Sequence, residues 1–90
     1  MYIMLQKLFV EFIGTFIFLS VIMRVGEAIP IAIALACVIF FGGQISGGHY
    51  NPAVSFAMTM NGKLSQSELL PYVLSQLVGG MAAVTFSRVK

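Results

Sequence analysis

Hydrophobic and polar positions in this sequence fall into blocks instead of alternating. Residues 8–25 form a first apolar run interrupted only by Glu11. At ~1.5 Å of helix rise per residue such a run reaches about 27 Å, enough to cross the hydrocarbon core of a bilayer. Arg24, Gly26 and Glu27 mark its far end, and Pro30 falls in the first turn of the next run, so the connection is a short turn. Residues 29–43 are apolar without a single charge but short for a full crossing. The chain then enters Gly42-Gly43-Gln44-Ile45-Ser46-Gly47-Gly48, a glycine density expected to end the helix. Asn51-Pro52 reads as a helix cap and first position, and Asn61-Gly62 as its stop. The helix between them is too short to span and too apolar to lie on a surface, which predicts a half-helix dipping into the membrane. Residues 63–66 are a polar linker. Ser65 with Glu68 reads as a capping box for a third span over 69–86, with Pro71 tolerated in its first turn. The pattern therefore predicts an all-α membrane protein: three transmembrane helices plus one re-entrant loop and half-helix (44–60 together), in a single unit over 1–90. No internal repeat or low-complexity segment is visible.

Composition sharpens this picture. Apolar residues make up 59% of the chain and charged residues 9%, against roughly 25% charged in soluble domains. A soluble protein of 90 residues is mostly surface, and eight charges do not keep such a surface wet. The net charge of +2 is too small and too scattered for a nucleic-acid footprint. Lys7 ahead of an apolar stretch has the look of a signal peptide, but Glu11 interrupts the apolar core and no small-x-small site follows before Arg24. The first segment is expected to stay as a span. Cys37, the single cysteine, lies in an apolar run and is expected to be a small core residue. No metal-spaced cluster, no nucleophile beside a base and no phosphate loop is present, so neither an enzyme, a metal nor a cofactor is expected.

The chemistry concentrates at the glycine-rich stretch. Irregular backbone at membrane depth is tolerated only where protein buries it or where it lines a watery cavity. Its carbonyls then become acceptors for a permeating molecule. A half-helix starting at Pro52 aims its N–H groups and positive dipole end at the membrane midplane, and the Asn51 side chain adds two donors there. Such a site favours neutral polar solutes and repels cations. Glu11 inside a span is expensive unless hydrogen-bonded, and a loop rich in N–H groups is a natural partner. His49 reads as a structural donor fixing the loop, Gln76 as a brace or interhelical link, and Gly14, Gly79 and Gly80 as close-packing positions.

The run Ser46-Gly47-Gly48-His49-Tyr50-Asn51-Pro52-Ala53-Val54-Ser55 resembles the first Asn-Pro-Ala box of the aquaporin and glycerol-facilitator family. Glu11-Phe12-Ile13-Gly14-Thr15-Phe16 resembles the family's first span, and Leu70-Pro71-Tyr72 with Gln76 and Gly79-Gly80 its third. The likeness covers nearly the whole chain in the right order. It implies a channel for water or small neutral solutes such as glycerol. Asn51 would be the midplane donor, with the carbonyls of Gly47, Gly48 and His49 along the path. Pro52 and Ala53 would complete the box, and Glu11 and Gln76 would support the re-entrant loop.

The departures are equally specific. A full family member carries two such halves, inverted relative to each other, whereas this sequence has three spans and one box. Val54 follows the box where the family's second box has its filter arginine; Ile31 stands where the second span carries an aromatic, and Gln44 where a histidine is usual. The family's selectivity filter is therefore not transferable. One half-helix leaves the far half of a path unlined, which implies an antiparallel homodimer within the family's tetramer of pores. Lys7 and Lys63 on one face against Arg24, Arg88 and Lys90 on the other give almost no positive-inside bias, so insertion in both orientations is expected. Two other readings compete: a non-conducting truncated half that pairs with a full-length channel, and a small dual-topology antiporter using Glu11.

Overall fold

A computed structural model describes residues 2–90 as four helices, α1 (Tyr2–Arg24), α2 (Ala28–Ser46), α3 (Pro52–Met60) and α4 (Gln66–Ser87). α1, α2 and α4 are each long and apolar enough to cross a membrane, and α3 is not. The molecule is 39 Å along its longest axis, which matches a bilayer core of about 30 Å plus part of the headgroup layers. α1 is the central helix, packed on α2 and on α4; α3 packs on α4.

The burial pattern is that of a protein dissolved in lipid. The buried polar residues are Glu11, Thr15, Ser20, Ser46, His49, Ser55 and Gln76, while large apolar side chains such as Phe9, Phe40, Phe41, Leu70 and Met81 lie exposed. In water this distribution would be ruinous; in hydrocarbon, apolar faces outward and hydrogen-bonded polar groups inward is the stable arrangement.

Several boundaries differ from the sequence reading. α2 continues through Gly42 and Gly43 to Ser46, so it is long enough to span. Gly42 is a contact glycine inside the helix: a Cβ there would overlap the Tyr50 hydroxyl. The helix ends only at Gly47, whose left-handed φ of 93° lets its N–H bond to Gly43 O at 2.8 Å. α4 begins at Gln66, which moves Pro71 into the second turn. The capping box does not form. The Ser65 side chain makes no cap bond and instead shares a hydrogen bond with Ser67, while Glu68 reaches across to Lys7 of α1 at 3.1 Å. Cys37 is exposed, at the rim of a groove between α1 and α2, because Val38 takes the buried place beside it.

α1 and α4 touch at backbone distance. A Cβ on Gly79 would lie 2.6 Å from Phe12 O and 3.1 Å from Thr15 Cβ. At opposite ends of the pair, Lys7 meets Glu68, and the Arg24 guanidinium lies over the Phe86 ring and donates to Phe86 O at 2.8 Å.

Candidate functional site: the re-entrant loop and the tip of the half-helix

The irregular backbone is shorter than its glycine content implied, running from Gly47 to Asn51. Gly47, Gly48 and Tyr50 all adopt left-handed backbone, with φ of 93°, 67° and 56°; among the described residues Tyr50 is the one non-glycine to do so. This conformation costs a non-glycine residue roughly 1–2 kcal/mol and persists where the surroundings over-determine it.

Those surroundings centre on Glu11, which is 0% exposed. Its Oε2 accepts from the Ser46 hydroxyl at 2.7 Å and from His49 N–H at 3.0 Å; its Oε1 accepts from Tyr50 N–H at 2.7 Å and from Gln76 Nε2 at 2.8 Å. One carboxylate thus ties two loop amides to the end of α2 and to α4. Gln76 Nε2 also donates to Ser55 Oγ at 2.8 Å. The amide orientation follows from chemistry: a flipped Gln76 would turn its oxygen onto an acceptor-only carboxylate. Ser55 Oγ in turn meets His49 Nδ1 at 2.9 Å. Tyr72, against the His49 ring, donates its hydroxyl to Ser46 O at 2.6 Å and so caps the end of α2.

The result is a loop whose amides are all satisfied and whose carbonyls are not. Every N–H from Gly47 to Tyr50 is bonded within the protein: Gly47 to Gly43 O, Gly48 to Ser46 Oγ at 3.2 Å, His49 and Tyr50 to Glu11. The carbonyls of Gly47, Gly48, His49 and Tyr50 accept no hydrogen bond from the described residues. Unpaired backbone oxygens are not stable against hydrocarbon, so these carbonyls demand polar company.

The half-helix tip presents the complementary groups. Asn51 caps α3 through Oδ1, which accepts from Ala53 N–H at 2.8 Å, leaving its exposed Nδ2 amide uncommitted among the described residues. Pro52 has no N–H and that of Ala53 is taken, so the backbone donors at the tip without a partner among the described residues are those of Asn51 and Val54. Asn51, Pro52, Tyr50, Thr15 and Gln76 line a groove of about 470 Å³ between α1 and α4. Two buried atoms on its wall residues, Thr15 Oγ1 and Gln76 Oε1, have no partner among the described residues.

Of the residues singled out in the sequence, Glu11, Gln76, His49 and the loop glycines converge here, with Asn51, Pro52, Ala53 and Val54 at the tip. Ile31 does not join them; it sits near the start of α2, about 22 Å of helix rise from Ser46. Ser46, Ser55, Tyr50 and Tyr72 are structural members of the site to which the sequence reading gave no role. The serines could have been noticed as hydroxyls stranded in apolar surroundings; nothing in the sequence announces the left-handed backbone at Tyr50.

Three apolar spans, a re-entrant half-helix and a loop whose carbonyls have no partner among the described residues define an integral membrane protein. The profile of the family described as major intrinsic protein matches residues 2–89, and the chain belongs to that family. It is 34% identical to Aquaporin Z of Photorhabdus laumondii, covering 89% of this chain and 41% of that protein. It is 36% identical to Glycerol uptake facilitator protein-like 6 of Lactiplantibacillus plantarum (88% and 41%) and 39% identical to Aquaporin-8 of Mus musculus (93% and 36%). The chain therefore spans about two-fifths of the length of these relatives. No solved structure matches it.

Proposed function

We propose that the chain forms a channel for passive movement of water and small neutral solutes such as glycerol, with each pore built from two inverted copies and pores grouped in fours. The observation that carries this reading is the imbalance of the loop: all N–H groups from Gly47 to Tyr50 are bonded within the protein, while their carbonyls and the Asn51 Nδ2 amide have no partner among the described residues. A solute that both donates and accepts hydrogen bonds can exchange its water shell for these groups, while the positive end of α3 disfavours cations. The relatives' names, aquaporin and glycerol uptake facilitator, support the same solute class.

Support for pairing comes from the groove beside Asn51. It is open, and two buried polar atoms of its lining residues, Thr15 Oγ1 and Gln76 Oε1, have no partner among the described residues. An inverted copy would bring a second half-helix tip to that position. Glu11 weighs against an antiporter: its two oxygens are occupied by four donors that tie the loop to α2 and α4, the arrangement of a structural brace.

The test is osmotic swelling of proteoliposomes made with the purified chain. The wild type should raise water or polyol permeability without ion conductance. Asn51→Asp keeps the helix cap but adds a negative charge at the tip and should admit cations; Asn51→Ala should lower flux. Swelling no faster than in empty liposomes, with the protein shown to be folded, would remove the homomeric channel and leave the half that assembles with a longer partner.

A further inference from the structure

Tyr50 is anchored at three points that no other loop residue shares. Its N–H donates to Glu11 Oε1 at 2.7 Å, and its hydroxyl donates to Val38 O inside α2 at 2.5 Å. Its side chain, 2% exposed with the rest of the residue, fills the space left by two glycines: a Cβ on Gly14 of α1 would overlap the ring, and one on Gly42 of α2 would overlap the hydroxyl. The same ring forms part of the wall of two grooves, the apolar one between α1 and α2 and the one containing Asn51. Its backbone is left-handed without being glycine, and the next residue is Asn51. A residue in that backbone state returns to commoner ones unless its side chain is held.

We infer that Tyr50 is the positioning residue of the permeation site: the hydroxyl anchor on Val38 O holds the left-handed turn that aims the Asn51 amide and the Gly48 and His49 carbonyls at the path. The geometry stands on its own; its consequence for flux rests on the channel reading above. Glu11 fixes where the loop amides go, and Tyr50 fixes the hinge between the carbonyls and the half-helix tip.

The experiment uses the full chain in nanodiscs and proteoliposomes, with Tyr50→Phe, Gly42→Ala and the double variant. Tyr50→Phe keeps the ring and removes only the anchor. Amide hydrogen exchange at positions 49 and 50 should accelerate roughly five- to tenfold, the equivalent of one ordinary hydrogen bond, with α1 amides unchanged. The ratio of water to glycerol permeability should shift as well. Gly42→Ala drives a methyl into the Tyr50 hydroxyl and should loosen the same two amides; adding Tyr50→Phe removes the obstructing oxygen and should restore part of their protection. Tyr50→Phe keeps the ring that occupies this space, so a residue that merely filled it would leave exchange at 49 and 50 unchanged in that variant. Exchange and selectivity of Tyr50→Phe equal to wild type would overturn the inference, as would acceleration spread evenly through α1. If exchange changes as described while the wild type conducts nothing, the positioning role stands and the channel reading fails.

Discussion

Glu11 shows how far one side chain can organise a membrane site. Its two oxygens accept four hydrogen bonds, from Ser46, His49, Tyr50 and Gln76. Glu11→Gln should be tolerated far better than Glu11→Ala. A glutamine oxygen in the Oε1 position still serves Tyr50 and Gln76, and the Ser46 hydroxyl can turn toward Gly42 O, already 3.5 Å away. Only the His49 N–H is then orphaned, at roughly 1–3 kcal/mol. Alanine orphans at least three buried donors at once and should not fold. Unfolding in detergent measures the difference; equal loss in both variants, with pH-driven solute accumulation by the wild type, would favour a proton-coupled carrier. That a buried carboxylate needs loop donors was legible in the sequence. Which four donors it finds was not, because they come from α2, the loop and α4, up to 65 positions away.

At the scale of helices, the glycines divide into two kinds that the sequence does not distinguish. Gly79 lets α4 approach α1, since a Cβ there would meet Phe12 O at 2.6 Å. Gly79→Ala should push the helices apart and cost about 1–3 kcal/mol. Gly43 lies inside α2 with its nearest neighbour, an Ile39 methyl, 3.8 Å away. Gly43→Ala should therefore gain stability, by up to ~1 kcal/mol, from helix propensity alone. Thermal unfolding of the pair gives opposite signs if this division is right, and the same sign if α2 really breaks at the first glycines. The glycine cluster was read as one breaker because local propensity treats all its members alike. Tertiary packing kept Gly42 and Gly43 helical and moved the end to Gly47.

For the molecule as a whole, the charges at its two ends bear on assembly. Lys7 is held by Glu68 at one end, and Arg24 by the Phe86 carbonyl and ring at the other, so each face has one cation engaged in the fold. Lys63 remains on the first face and Arg88 and Lys90 on the second, and the proposed antiparallel pairing draws on this even balance to leave both orientations open. Terminal tags on the wild type should be labelled from both sides of the membrane. Adding two or three lysines near the N-terminus should drive most copies one way and abolish flux. Co-expression with a variant biased oppositely, by lysines near Gly26, should restore it. Labelling from one side only, in a protein that still conducts, would mean that the missing half of the pore comes from elsewhere.

The sequence by itself determined the features that depend on a few neighbouring residues and on the solvent. Long uncharged runs must be spans, because lipid leaves no other place for them; Asn51-Pro52 and Asn61-Gly62 must bound a helix, because cap and stop chemistry act within a turn. Asn51 is indeed bonded to Ala53 as a cap, and α3 ends at Met60. What only the tertiary structure decided are relations between distant segments. Glu68 abandons a local cap for Lys7; Cys37 lies exposed while Val38 is buried; Tyr50 takes left-handed backbone because Gly14, Gly42 and Val38 make room for it and hold it. The imbalance of the loop belongs here too. Its carbonyls are left without partners while its amides found theirs on two other elements, α1 and α2, and no local pattern encodes which way a peptide plane will turn.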